Sequence, residues 1–200
     1  EEKGDVDAAI KNYKNAIRIK PDFAEAHGNV GALLQGQGDL KAAIDSYEKT
    51  IQINPNYADA HYNLGNALKE KNDLEAALKY YKQAIKIKPD YAEAWNNMGN
   101  IFIDQEKFEE AITAFNNALS HKPDYAEAFY NIGNVFESQS KPEEAIAAYN
   151  SAINIKPDFE DAKSNLVELL TTYSTQKENQ GTIVKINEML RKIYKKENIE

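Results

Sequence analysis

One polar residue type recurs in this chain with a fixed step. Asparagine stands at Asn29, Asn63, Asn97, Asn131 and Asn165, each 34 residues after the one before. Three of them are followed one helical turn later by a second asparagine, at Asn66, Asn100 and Asn134. Asparagine is a mediocre helix former, so its repeated use inside helices needs a reason. An amide carries both donors and an acceptor. A row of them can pair with the C=O and N–H groups of an extended peptide, whatever that peptide's side chains are. The same amides can instead bond between adjacent helices and fix their spacing, and the sequence leaves both readings open. Tyr62 and Tyr130 lie on the same face. As large aromatics they are candidates for contact energy with a partner, or for packing against the neighbouring repeat. Five hydrogen-bonded rungs contribute roughly 3–7 kcal/mol in total. Association itself costs about 4–15 kcal/mol, so backbone pairing needs help from side-chain contacts.

Other chemistries find little support. The 200 residues include no cysteine, which removes disulfides and thiolate metal sites and fits a reducing, cytoplasmic compartment. Of the three histidines, His27 and His61 occupy the place taken by Trp95 and Phe129 in other repeats and read as packing residues. His121 lies near a helix end. No two histidines are spaced i, i+4, so no metal site is expected. Neither a nucleophile–base pair nor a phosphate loop is present, and we expect no cofactor and no catalysis. The net charge of −8 argues against a nucleic-acid partner. No apolar run approaches the length of a membrane span, so no membrane insertion is expected.

The elements that position the asparagines follow from the same 34-residue step. Pro21, Pro55, Pro89, Pro123 and Pro157 share it. A fixed period of this size marks a solenoid, in which each unit packs mainly on its neighbours. The spacing predicts a half repeat over 1–23, full repeats over 24–57, 58–91, 92–125 and 126–159, and a partial repeat over 160–173. Each full repeat reads as two helices. In the repeat over 58–91, Ala60, His61, Leu64, Gly65, Ala67 and Leu68 form one buried stripe, and Leu74, Ala77, Leu78, Tyr81, Ala84 and Ile85 form the next. Opposite the first stripe lie Asp59, Tyr62, Asn63, Asn66, Lys69 and Glu70. Small residues recur where helices should approach closely: Gly31, Gly65, Gly99 and Gly133, then Ala43, Ala77, Ala111 and Ala145. Asp22 with Glu25, Asp90 with Glu93, and Asp124 with Glu127 are expected to form capping boxes. Gly38, Asn72 and Ser140 are expected in turns, and Pro142 at a helix start. A polar connector over 174–181 leads to a last helix over 182–200, opened by Thr182. That helix is either a solvating cap or a basic linker to a further domain.

These residues resemble the tetratricopeptide repeat. Trp95, Met98, Gly99, Phe102, Ala111, Phe115, Ala118 and Pro123 match its pattern in order, as do Phe129, Ile132, Gly133, Phe136, Ala145, Tyr149, Ala152 and Pro157. The resemblance implies an all-α fold, an α-solenoid of antiparallel helix pairs forming a right-handed superhelix, with first helices lining a concave groove and a C-terminal capping helix. It also implies peptide binding or assembly of protein complexes. The recurring asparagines resemble the ladder in the superhelix of O-linked N-acetylglucosamine transferases, which holds the backbone of extended substrates. On that resemblance Asn29, Asn63, Asn97, Asn131 and Asn165 would grip a peptide main chain.

The functional expectation is a non-enzymatic module that binds an extended peptide in its groove as a scaffold or adaptor. The positions just before the asparagines are Gly28, Tyr62, Asn96, Tyr130 and Ser164, so a basic clamp for a C-terminal carboxylate is not expected. Glu25, Asp59, Glu93, Glu127 and Asp161 favour neutral or basic peptides, besides complementing helix dipoles. Two alternatives stand beside this. The chain could be the substrate-recruiting arm of a larger enzyme, or it could self-associate through an open N-terminal end where Ile10, Tyr13 and Ile17 are exposed.

Overall fold

The computed structural model describes residues 2–176, with side chains over 5–172. The described residues form ten helices and no strands: α1 (Glu2–Ile19), α2 (Ala24–Gly36), α3 (Leu40–Ile53), α4 (Ala58–Glu70), α5 (Leu74–Ile87), α6 (Ala92–Asp104), α7 (Phe108–His121), α8 (Ala126–Ser138), α9 (Pro142–Ile155) and α10 (Glu160–Gln176). This is an all-α solenoid of helix pairs. The chain divides into two compact units, one ending at Ile101 and one beginning at Phe102. In the first unit α1 packs on α2, α2 on α3, α3 on α4 and α4 on α5; in the second, α7 packs on α8, α8 on α9 and α9 on α10. Helix α10 runs through Gln176, three residues into the expected connector. The rest of that connector and the expected last helix over 182–200 lie outside the described residues.

The helical period places the core as the spacing predicts. All six stripe residues of α4 are buried. In α5, Ala77, Tyr81 and Ala84 are buried, while Leu74, Leu78 and Ile85 are half-buried. The repeated small residues have a specific use. A Cβ on Gly31 would stand 2.7 Å from the Tyr47 ring, one on Gly65 2.7 Å from the Tyr81 ring, and one on Gly133 2.4 Å from the Tyr149 ring. The close approach is therefore glycine to tyrosine ring, rather than backbone to backbone. Tyr47, Tyr81 and Tyr149 become the largest fully buried side chains.

The turn inside each pair is also periodic. Gly38, Asn72, Glu106 and Ser140 all have φ between 56° and 81°. Glycine takes this left-handed conformation freely, and asparagine with less penalty than most. The next residue caps the second helix. Asp39 accepts from the Ala42 N–H at 3.1 Å and Asp73 from the Ala76 N–H at 3.2 Å. In the second unit lysines hold this place, Lys107 and Lys141, with no side-chain cap bond. Pro142 opens α9 as expected.

The capping boxes expected at Asp22 with Glu25 and at Asp124 with Glu127 do not form. The N-caps of α2, α4 and α8 are Phe23, Tyr57 and Tyr125, which make no side-chain cap bond. Asp22 and Asp124 each stand one residue too early to reach the first turn. Glu25, Glu93 and Glu127 remain in the first turns, where they complement the helix dipole. A second correction concerns the N-terminal end. Ile10 is buried and Tyr13 and Ile17 are half-buried, because α1 is packed on α2; Ile19, 81% exposed, is the apolar residue that this end presents.

Candidate functional site

The outward face of the first helices in the first unit begins with Asn29 and Gly28 on α2, continues with Asp59, Tyr62, Asn63 and Asn66 on α4, and reaches Asn97 and Asn100 on α6. In the second unit it holds Tyr130, Asn131 and Asn134 on α8 and Asn165 on α10. All these asparagines and both tyrosines are half-buried. The amides do not share one environment.

Asn97 is held. Its Nδ2 donates to Asn66 Oδ1 at 2.9 Å and to the Tyr62 hydroxyl oxygen at 3.3 Å. Asn66 Oδ1 also accepts from the Tyr81 hydroxyl at 2.7 Å. Tyr62 packs its ring against Tyr91, centroids 4.8 Å apart, and against Tyr81 at 5.9 Å. The Tyr91 hydroxyl in turn donates to Asp59 Oδ1 at 2.9 Å. Burial, then the bond to Asp59, pushes the Tyr91 phenol well above the ordinary range. Burial likewise raises Tyr81.

The second unit repeats this arrangement 68 residues on. Asn165 Nδ2 donates to Asn134 Oδ1 at 3.1 Å and to the Tyr130 hydroxyl oxygen at 3.4 Å. Asn134 Oδ1 accepts from the Tyr149 hydroxyl at 2.7 Å. Tyr130 packs on Phe159 at 5.0 Å and on Tyr149 at 5.9 Å. Glu137 Oε2 also stands 2.6 Å from the Tyr149 oxygen and competes with Asn134 for its one proton; burial, followed by this carboxylate, raises that phenol. Asn97 and Asn165 therefore tie one first helix to the previous one, and Tyr62 and Tyr130 are packed into the array. This is the second of the two readings that the sequence left open, and which asparagines it holds for depends on residues 31 to 35 positions back. The Asn–x–x–Asn pair one turn apart was the available signal.

Asn63 differs. The residues that would close on it, by the same 34-residue offset, are Gly28 and Ala32 in place of Tyr62 and Asn66. Neither has a polar side chain, and Asn63 has no hydrogen bond among the described residues. Tyr47, the counterpart of Tyr81, sends its hydroxyl to Gln35 Oε1 at 2.9 Å instead. The vacated space is a cavity of about 270 Å³ lined by Gly28, Asn29, Ala32, Tyr57, Asp59, Ala60, Asn63 and Tyr91. Burial, then the carboxylates of Glu25 and Asp59, raises the Tyr57 phenol, so the charge beside this cavity is negative.

His27, His61 and Trp95 have a shared structural role. A ring nitrogen of each donates to the carbonyl of the repeat's proline: Pro21 at 3.0 Å, Pro55 at 2.9 Å and Pro89 at 3.3 Å. Among the described residues no group of histidine and carboxylate side chains could hold a metal ion, and no helix is long and apolar enough to cross a membrane.

Comparison with known proteins agrees with this architecture. A family model described as TPR repeat matches residues 2–38, 36–72, 65–102 and 99–140, and one described as tetratricopeptide repeat matches 126–159. No curated protein matches the chain. Among solved structures, a crystal structure of MamA superposes with a TM-score of 0.71 at 28% identity, covering 81% of this chain and 94% of that one. A second MamA structure gives 0.69 at 27% identity, covering 80% and 87%. YrrB, described as a TPR protein with an unusual peptide-binding site, gives 0.67 at 25% identity, covering 82% and 84%. With the family models spanning most of its length and the helix pairs in place, this chain belongs to the tetratricopeptide repeat family.

Proposed function

We propose that the chain is a protein-binding module, acting as a scaffold or adaptor, that holds an extended segment of a partner along its first helices. The observation that carries this is the half-buried amide that recurs on the first helices of each unit: Asn29, Asn63 and Asn97 in the first, Asn131 and Asn165 in the second. The internal bonds at Asn97 and Asn165 use their N–H donors and leave Oδ1, an acceptor suited to a peptide N–H. Asn63 keeps both donors and its acceptor for a partner. The carboxylates of Glu25 and Asp59 beside this face favour neutral or basic segments over acidic ones. The fold shared with YrrB, itself described as having a peptide-binding site, supports the same reading.

The test is a selection from a displayed library of random peptides, run against the wild-type chain and against the triple variant Asn63→Ala, Asn97→Ala, Asn131→Ala. The wild type should enrich peptides that the variant does not retain, while circular dichroism shows equal helical content. Equal retention by both proteins would contradict the proposal.

A further inference from the structure

The cavity at Gly28 has a template within the same molecule. In the two closed sites the equivalent space is filled by the chain's own Tyr62 or Tyr130. There the ring lies against an aromatic, Tyr91 or Phe159, at 4.8 or 5.0 Å, and the hydroxyl oxygen accepts from an asparagine Nδ2 at 3.3 or 3.4 Å. At the open site the receiving parts remain. Tyr57 stands where Tyr91 and Phe159 stand, and Asn63 where Asn97 and Asn165 stand. The side chain itself is missing, because position 28 is glycine and position 32 is alanine. At about 270 Å³ the cavity has the volume of roughly nine liquid water molecules. An aromatic side chain therefore finds room there, a wall for its face and a donor for its oxygen.

We infer that this cavity is a binding pocket for a phenol side chain, a tyrosine of the bound peptide, whose ring lies on Tyr57 and whose hydroxyl accepts from Asn63. This rests on the reading that the first-helix face takes a peptide, and it names the residue that the peptide presents at α2 and α4. The negative surroundings make a cationic side chain the competing occupant. The template decides for the phenol: the chain itself places a tyrosine in this space twice, Tyr62 and Tyr130, in repeats that carry Asp59 and Glu127 at the position of Glu25. Binding a phenol here supplies what backbone rungs lack, a large apolar contact at low conformational cost.

Filling the pocket from within is sterically allowed. A Cβ on Gly28 meets only Thr50 at 3.6 Å and Tyr57 at 4.0 Å, ordinary contact distances. The Gly28→Tyr variant should therefore fold and occupy its own pocket. The experiment titrates the ¹⁵N-labelled full chain with N-acetyl-tyrosinamide, N-acetyl-phenylalaninamide and N-acetyl-argininamide, following the Gly28 backbone and Asn63 side-chain resonances. The expected result is a saturable shift with tyrosinamide, with phenylalaninamide about fivefold weaker for want of the hydroxyl. The shift should vanish in Gly28→Tyr, whose urea midpoint is no lower than wild type. In Asn63→Ala, tyrosinamide should weaken to the level of phenylalaninamide. No saturable shift up to about 10 mM, the range of a weak single-site fragment, overturns the inference. So does tighter binding of argininamide, or tyrosinamide binding that survives in Gly28→Tyr. These probes have no extended backbone, so their failure leaves the peptide-library result standing, and the reverse holds too.

Discussion

The slot at Tyr62 and the slot at Gly28 are built on the same plan, one repeat apart, and end in opposite states. At Tyr62 a phenol, two amides and a buried tyrosine bond to one another, and the site is closed. At Gly28 the same buried tyrosine and the same amide survive, while the two side chains that would satisfy them are absent. The same repeat plan thus gives a structural closure where the two side chains are present and a cavity where they are not. The difference also separates two uses of glycine. A ring presses on Gly65, whereas a Cβ on Gly28 would meet its neighbours only at ordinary contact distances.

Alkali should expose the difference most strongly, because several packed phenols titrate together. Burial, with a contribution from Glu70, pushes Tyr47 at the open slot up to about 12, and Tyr81 and Tyr149 at the closed slots are raised further. Between the ordinary tyrosine value near 10 and these raised values, the unfolded chain has lost protons that the folded chain keeps. Stability is then full below about pH 10 and falls as pH rises through that window. Urea midpoints measured from about pH 9 to 12 should decline, and Tyr81→Phe should flatten the decline at its upper end more than Tyr47→Phe does.

The glycines give the next largest effect, with opposite signs. Gly65→Ala and Gly133→Ala drive a Cβ into a buried ring and should cost about 1–3 kcal/mol each. Gly28→Ala should be neutral or stabilise by up to about 1 kcal/mol, since alanine is the better helix former and nothing opposes its Cβ. Urea unfolding of the three variants checks this; equal costs at Gly28 and Gly65 would break the contrast.

Helix caps sharpen the comparison between units and carry the smallest effect. Asp73→Ala removes a cap bond and should cost about 1 kcal/mol. Lys141→Asp supplies the missing cap in the second unit and should gain a comparable or smaller amount, seen as a raised unfolding midpoint.

Much of this architecture was legible in the residues. The 34-residue step fixed the helix pairs, and the stripe from Ala60 to Leu68 is buried as its spacing implies. Local signals failed where neighbours one residue away decide. Asp22 and Asp124 read as caps, but the chain enters helix one residue later, through an aromatic, while Asp39 and Asp73 do the capping. The asparagines were legible as a row but not as two populations. Whether an amide is satisfied depends on a residue 31 or more positions back: Asn66 for Asn97, and Ala32 for Asn63. Aligning the repeats at that second position would have separated them.

The division of the amides into held and open is tested most directly by the exchange of their own protons. In a side-chain amide spectrum recorded as pH is raised stepwise, the NH₂ signals of Asn97 and Asn165 should persist, and that of Asn63 should broaden first. Protection of Asn63 equal to that of Asn97, or exchange at Asn97 as fast as at Asn63, would contradict the account.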